Sequence, residues 1–170
     1  TGDYYLTELE DNSKLLDEIS KYAPSEIICN DAFLVSGLSI EDMRNRLRIA
    51  VNVQEAHYFD EDGTKKLLKK HFKVAGLTGL GIEDFPVGIL AAGALLKYLY
   101  ETQMSSMSNI THIYPYLTSR FMLLDSATRR NLELAETLRE KQKRGSLLWV
   151  LDKTKTAMGA RMLRSYIEQP

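Results

Sequence analysis

One segment limits how this chain can fold more than any other: residues 87–96 are apolar or glycine without interruption. Pro86, directly before them, suits the first position of a helix, where its missing N–H costs nothing, and Asp84 is a good residue to start on. The spacing predicts a helix continuing to about Gln103, apolar on every face for most of its length. Such a helix has to be central and buried. The run is about half of the ~20 residues a membrane helix needs, so it reads as a core element and not as a span. The N-terminus carries no basic-then-apolar export signal, and the chain reads as soluble and cytosolic.

Upstream, the pattern alternates strand and helix. Asp3 to Glu10 has period two, with Tyr4, Leu6 and Glu8 on one side and Tyr5, Thr7 and Leu9 on the other, which predicts a strand. A helix follows from Asn12 or Ser13, with Leu15, Leu16, Ile19 and Tyr22 on one face and Pro24 as its stop. Glu26 to Cys29 is too short for a helix and reads as a buried strand, Ser39 with Asp42 as a capping box, and Ile49 to Val53 as a third strand. Acidic residues 60–62 precede Lys65, Lys66, Lys69 and Lys70, the order that a helix dipole favours.

Downstream the pattern changes. Residues 104–111 are small and polar and mark a candidate domain boundary. Beyond it Asp125 can cap a short helix through Arg130, Arg139 to Gly145 is a charged loop, and Ser146 can open a turn. A last helix over 156–168 repeats Met158, Met162, Leu163, Tyr166 and Ile167 on one side. Its methionine stripe reads as core rather than as a binding groove.

Catalytic motifs are weak. Gly76 and Gly81 have P-loop spacing, but Ile82 and Glu83 stand where Lys and Ser or Thr are required, and Glu83 would repel a phosphate. His57, His71 and His112 form no His-x-x-x-His pair and read as surface or interface residues; Cys29 has no cysteine partner and lies in an apolar strand that disfavours the thiolate. Asp60, Asp62 and Gly63 hint at a calcium loop, yet Lys69 stands where its closing Glu belongs. Arg129 and Arg130 read as partners of Glu133 or Glu136. The 22 Lys and Arg nearly balance the 23 Asp and Glu, giving a formal charge of −1 that excludes whole-surface attraction to nucleic acid. A local patch is still possible. Lys65, Lys66, Lys69 and Lys70, with Lys73, form one, anchored by Leu68 and Phe72 on the other side; it is a solvated face or a docking surface for an acidic partner.

Three blocks in the last third are long and specific. Residues 124–134 run Leu-Asp-Ser-Ala-Thr-Arg-Arg-Asn-Leu-Glu-Leu, residues 145–148 are Gly-Ser-Leu-Leu, and Leu151-Asp152 with Thr154 leads into Thr156-Ala157-Met158-Gly159-Ala160-Arg161 and, at the end, Gln169-Pro170. In these blocks the chain closely resembles the MutS family of DNA mismatch-repair proteins. Residues 79–81, 91–96, 98–99 and 101–103 are similar to the end of that family's connector domain, and Thr1-Gly2-Asp3 to its first hairpin turn.

The resemblance implies an α/β, ribonuclease-H-like connector over 1–103, a linker over 104–111, and the first helices of an all-α core and lever domain over 112–170. It implies a non-catalytic relay between DNA-binding and ATPase parts that offers a docking surface for MutL; the lysine patch of Lys65, Lys66, Lys69 and Lys70 is the candidate for that surface. Cofactors are expected to be absent from this part, with ATP and Mg in the parent protein. That parent is expected to be a cytoplasmic homodimer acting on mismatched DNA, with no membrane partner. Two departures stand out. Ala157 replaces the family's usual proline, and the strand expected before the first turn is missing, which predicts a strand from Tyr4 to Leu9 short of a neighbour. The enzyme-class alternative is a ribonuclease-H-like, Mg-dependent nuclease, which needs gathered carboxylates; Asp3, Glu8, Glu10 and Glu26 offer no clear cluster. A standalone helical interaction module is a third reading.

Overall fold

A computed structural model describes residues 2–103, 107–118 and 124–168, apart from the side chains of Ser126 and Glu168. Thr1 of the expected turn, residues 104–106 of the expected linker and Gln169-Pro170 of the last sequence block lie outside the described residues. In chain order the elements begin β1 (Tyr5–Leu6), α1 (Asn12–Tyr22), β2 (Glu26–Cys29), α2 (Asp31–Leu34), α3 (Ile40–Asn45), β3 (Ala50–Val53) and α4 (Glu61–Phe72). They continue with α5 (Pro86–Gln103), β4 (Tyr114–Pro115), α6 (Ser126–Asn131), α7 (Leu147–Leu151) and α8 (Ala157–Glu168), and single 3₁₀ turns lie at Ala56–Phe59 and Leu77–Leu80. The chain divides into two compact units, one of Thr1–Asn12 with Ala23–Leu117, the other of Ser13–Tyr22 with Thr118–Pro170.

The first unit mixes helices with two small parallel sheets. In one, β2 pairs with β3, Glu26 opposite Ala50 through Cys29 opposite Val53; in the other, β1 pairs with β4, Tyr5 opposite Tyr114. The predicted alternation at the N-terminus is present, since Tyr4 and Leu6 are buried while Tyr5 is 56% exposed. The ladder is far shorter than the predicted strand, because Glu8 turns away to accept a hydrogen bond from the Gly88 N–H at 2.7 Å, in the first turn of α5. β1 does not lack a neighbour: β4, distant in sequence, supplies it. Parallel pairing of this kind needs a long crossover, which local patterning does not announce.

Helix α5 organises the first unit's core. Ile89, Ala92 and Leu96 pack with Tyr4, Leu6, Leu68, Leu77 and Ile82, and Tyr4 donates from its hydroxyl to the Ala92 carbonyl at 2.5 Å. Gly93 lets α4 approach, since a Cβ there would lie 2.3 Å from the Thr64 Cβ. The helix is not buried on every face, however: Val87 is 66% exposed and Ala91 is exposed as well, because neighbours cover only part of its circumference. Within the expected linker, Met107 and Ile110 are buried members of this core, together with Ile113 beyond it, whereas Ser108, Asn109 and Thr111 are exposed. Small polar residues flanking two apolar ones hide that role.

The second unit is held by caps and turns. Asp125 accepts from the Thr128 N–H at 2.5 Å, Ser146 from Trp149 at 3.2 Å, and Thr156 from Gly159 at 3.0 Å, which starts α6, α7 and α8 in turn. Leu147 and Leu148 donate from their N–H groups to the carbonyls of Glu133 and Leu134, stitching α7 to the end of α6's turn. Ala157 occupies the first helical position of α8. The methionine stripe of α8 is not core: Met158 is 79% and Met162 56% exposed, since amphipathic spacing fixes a face but supplies no surface to bury it.

Candidate functional site

The lysine-rich helix α4 begins on Asp60, whose carboxylate accepts from the Gly63 N–H at 2.8 Å, so the supposed calcium loop is an N-cap. It ends on Lys73 in the left-handed conformation, φ 56° and ψ 41°, with the Lys73 N–H bonded to the Lys69 carbonyl. At ~100° per residue, Lys66, Lys69, Lys70 and Lys73 fall within an arc of about 100°, while Leu68 and Phe72 point back toward the core. Lys65 is engaged by Glu61 one turn earlier at 2.5 Å, a surface pair worth about 0.3–0.5 kcal/mol. Among the described residues Lys66, Lys69 and Lys70 have no ion-pair partner within 4 Å.

Beside this face, α4, α5 and residues 107–111 enclose a groove of about 680 Å³. Its floor is apolar, with Met107 and Ile110 buried and Leu67 and Phe72 partly so; Lys70, Lys73 and Lys97 supply ammonium groups and Glu101 a carboxylate. His71 forms one wall. Its Nε2 lies 2.8 Å from the Ile110 carbonyl, which only accepts, so Nε2 carries the proton, and Nδ1 accepts from the Tyr100 hydroxyl at 2.6 Å. His71, half-buried, is thus a structural strap that joins two other segments. On α5, Glu101 accepts from the Tyr58 hydroxyl, which pushes that phenol up, and the Lys97 ammonium sits 4.3 Å from the Tyr58 ring centre.

The remaining candidates have structural duties. Glu83 accepts from the Thr78 hydroxyl across the glycine turn, so a carboxylate is fixed at that turn. Of the carboxylates a nuclease would need, Glu8 holds α5 and Glu26 accepts from the hydroxyl of Tyr98 at 2.6 Å and from the amide of Asn52. Among the described residues no group of three or more His, Cys, Asp or Glu is placed to hold a metal ion. Cys29 is buried, and desolvation, with a smaller contribution from Asp31, pushes its thiol up. Neither Arg129 nor Arg130 pairs with Glu133 or Glu136 within 4 Å; instead Arg129 donates from Nε to the Leu124 carbonyl at 3.0 Å, and Glu133 accepts from the Leu138 N–H. No described helix is long and apolar enough to cross a membrane. His71 and the groove escaped sequence reasoning, because their partners, Tyr100 and Ile110, lie on separate segments.

Two family models match in succession, MutS domain II over residues 1–113 and MutS domain III over 127–170. The chain belongs to the MutS family. It is 66% identical, along its whole length, to the DNA mismatch repair protein MutS of Lachnoclostridium phytofermentans, covering 18% of that protein. To the MutS of Ruminiclostridium cellulolyticum it is 44% identical, and to that of Protochlamydia amoebophila 37%, each time over all of this chain and 20% of the relative. The chain thus spans about a fifth of the length of these relatives and covers connector and domain III regions. Those two regions do not include the family's ATPase domain.

Proposed function

We propose that this chain is the mechanical middle of a MutS-like mismatch-recognition protein: a non-catalytic connector joined to the opening of the helical core, relaying conformational state between DNA-binding and ATPase parts. The observation that carries it is 66% identity along the whole chain to a DNA mismatch repair protein. In this reading the connector has a ribonuclease-H-like fold over about 1–103, residues 104–111 connect, and the core and lever helices start from 112. The packing of Met107, Ile110 and Ile113 favours a later boundary, after Leu117. The parent binds mismatched DNA and MutL as a cytoplasmic homodimer and uses ATP with Mg in parts beyond those matched here. The glycine turn of this chain does not fit a phosphate, given Glu83. A relay needs rigid elements, and α5, wedged among β1, α4 and its own strapped C-terminal end, is one.

Lys65, Lys66, Lys69 and Lys70 are the proposed MutL contact, supported by the exposed Lys66 and Lys70 and the half-buried Lys69, which have no ion-pair partner within 4 Å among the described residues, whereas Lys65 is held by Glu61. Surface plasmon resonance of the 170-residue chain over immobilised bacterial MutL tests this. Lys66→Glu with Lys69→Glu should abolish a salt-sensitive complex, and an unchanged complex removes the docking assignment. The purified chain should show no ATP turnover above a buffer control.

A further inference from the structure

Apart from Lys70, the groove beside α4 carries chemistry that neither the relay nor the proposed MutL contact uses. A volume of about 680 Å³ falls in the ~300–1,000 Å³ range of sites that take a small ligand or a few side chains. Its walls bring three ammonium groups, from Lys70, Lys73 and Lys97, against the single carboxylate of Glu101, which is already committed to the Tyr58 hydroxyl. The α4 C-terminus adds roughly half a negative charge, which the three lysines outweigh. Between them lies a floor of Leu67, Phe72, Met107 and Ile110, held in place because His71 grips the Ile110 carbonyl at 2.8 Å.

We propose that this groove binds an acidic peptide segment carrying one apolar anchor, a leucine or an aromatic side chain. The anchor enters the floor; the flanking carboxylates pair with Lys70 and Lys73, whose ammonium groups have no ion-pair partner among the described residues. A bare inorganic anion would leave the apolar floor unused. A nucleic-acid backbone fits worse still, because the apolar floor offers its phosphates no donors. The groove shares only Lys70 with the proposed MutL face, so the two assignments stand or fall separately.

Fluorescence anisotropy of the whole chain with a labelled peptide of glutamates flanking one tryptophan tests the proposal. Saturable binding is expected, weakened about tenfold or more by Lys70→Glu with Lys73→Glu and less than about twofold by Lys66→Glu with Lys69→Glu, which makes the same charge change outside the groove. Replacing the peptide's tryptophan by serine should abolish it. Equal loss in the two double variants would mean general charge attraction and would overturn the proposal. So would binding that survives loss of the tryptophan, absence of binding up to roughly 1 mM, or displacement of the peptide by a DNA duplex with the same Lys70 and Lys73 dependence.

Discussion

Helices α5 and α8 are both rich in apolar residues, yet α5 holds Ile89, Ala92, Ala94 and Leu96 at 5% exposure or less, whereas α8 leaves Met158, Met162 and Tyr166 at 79%, 56% and 61%. The units around them differ in the same way. Around α5, Leu68, Leu77 and Ile82 complete a packed core; in the second unit the buried described residues are Leu148, Ser146 and Lys21, the last paired with Glu18 at 2.9 Å. One unit is stabilised mainly by burial, the other mainly by caps and short-range hydrogen bonds. An apolar stripe therefore reports which face needs cover, and it does not report whether the same unit supplies that cover.

Core truncation should separate the two most sharply. Leu96→Ala removes a side chain with no exposed surface and should cost about 2–5 kcal/mol, against within about 0.5 kcal/mol for Met158→Ala. Urea unfolding of the chain checks both, and similar losses would break the contrast. Next in size, Gly93→Ala should destabilise by roughly 1–3 kcal/mol despite alanine's better helix propensity, because the new methyl meets Thr64. A gain in melting temperature there would show that α4 yields more easily than its packing suggests.

In the second unit, Ser146→Ala deletes the cap on α7 and should cost about 1 kcal/mol. Ala157→Pro, at the first position of α8, should instead stabilise by about 0.4–1 kcal/mol, since it restricts the unfolded chain and removes no helical bond. Thermal melts of the two variants should move in opposite directions.

The smallest effect is a pH dependence. Hydrogen bonds from Lys143 and Thr154 hold the Asp152 carboxyl down at about 2. A carboxyl depressed on folding contributes stability above its unfolded value of about 3.9 and loses it as pH falls toward the folded one. Acid titration followed by tryptophan fluorescence, with Trp149 as the only tryptophan, should show this loss between about pH 4 and pH 2, and Asp152→Asn should remove it.

Local rules were legible where both partners lie within one turn. Ser39 and Asp125 cap the helices their positions imply, Ser146 caps a short helix in place of the expected turn, and Glu26 to Cys29 is the strand its short apolar run suggests, although only Cys29 of it is buried. The four lysines of α4 could be read as one cluster, but their division into a paired Lys65, an open side and a groove rim at Lys70 could not. Arg129 shows the limit even at short range: a glutamate one turn away predicted an ion pair, and a backbone carbonyl five residues back took the guanidinium.

Taken alone, the sequence determined most of the helix starts, the central apolar helix and, through its last blocks, the family. Tertiary structure decided that Tyr114 runs beside Tyr5, that Met107 and Ile110 belong to the core, and that His71 binds together α4, α5 and the segment after them. The physical reason is range. A cap or a helical stripe is fixed by dihedral geometry over a few residues, whereas a parallel strand partner, a buried linker or a histidine strap depends on which distant surfaces meet when apolar area leaves water.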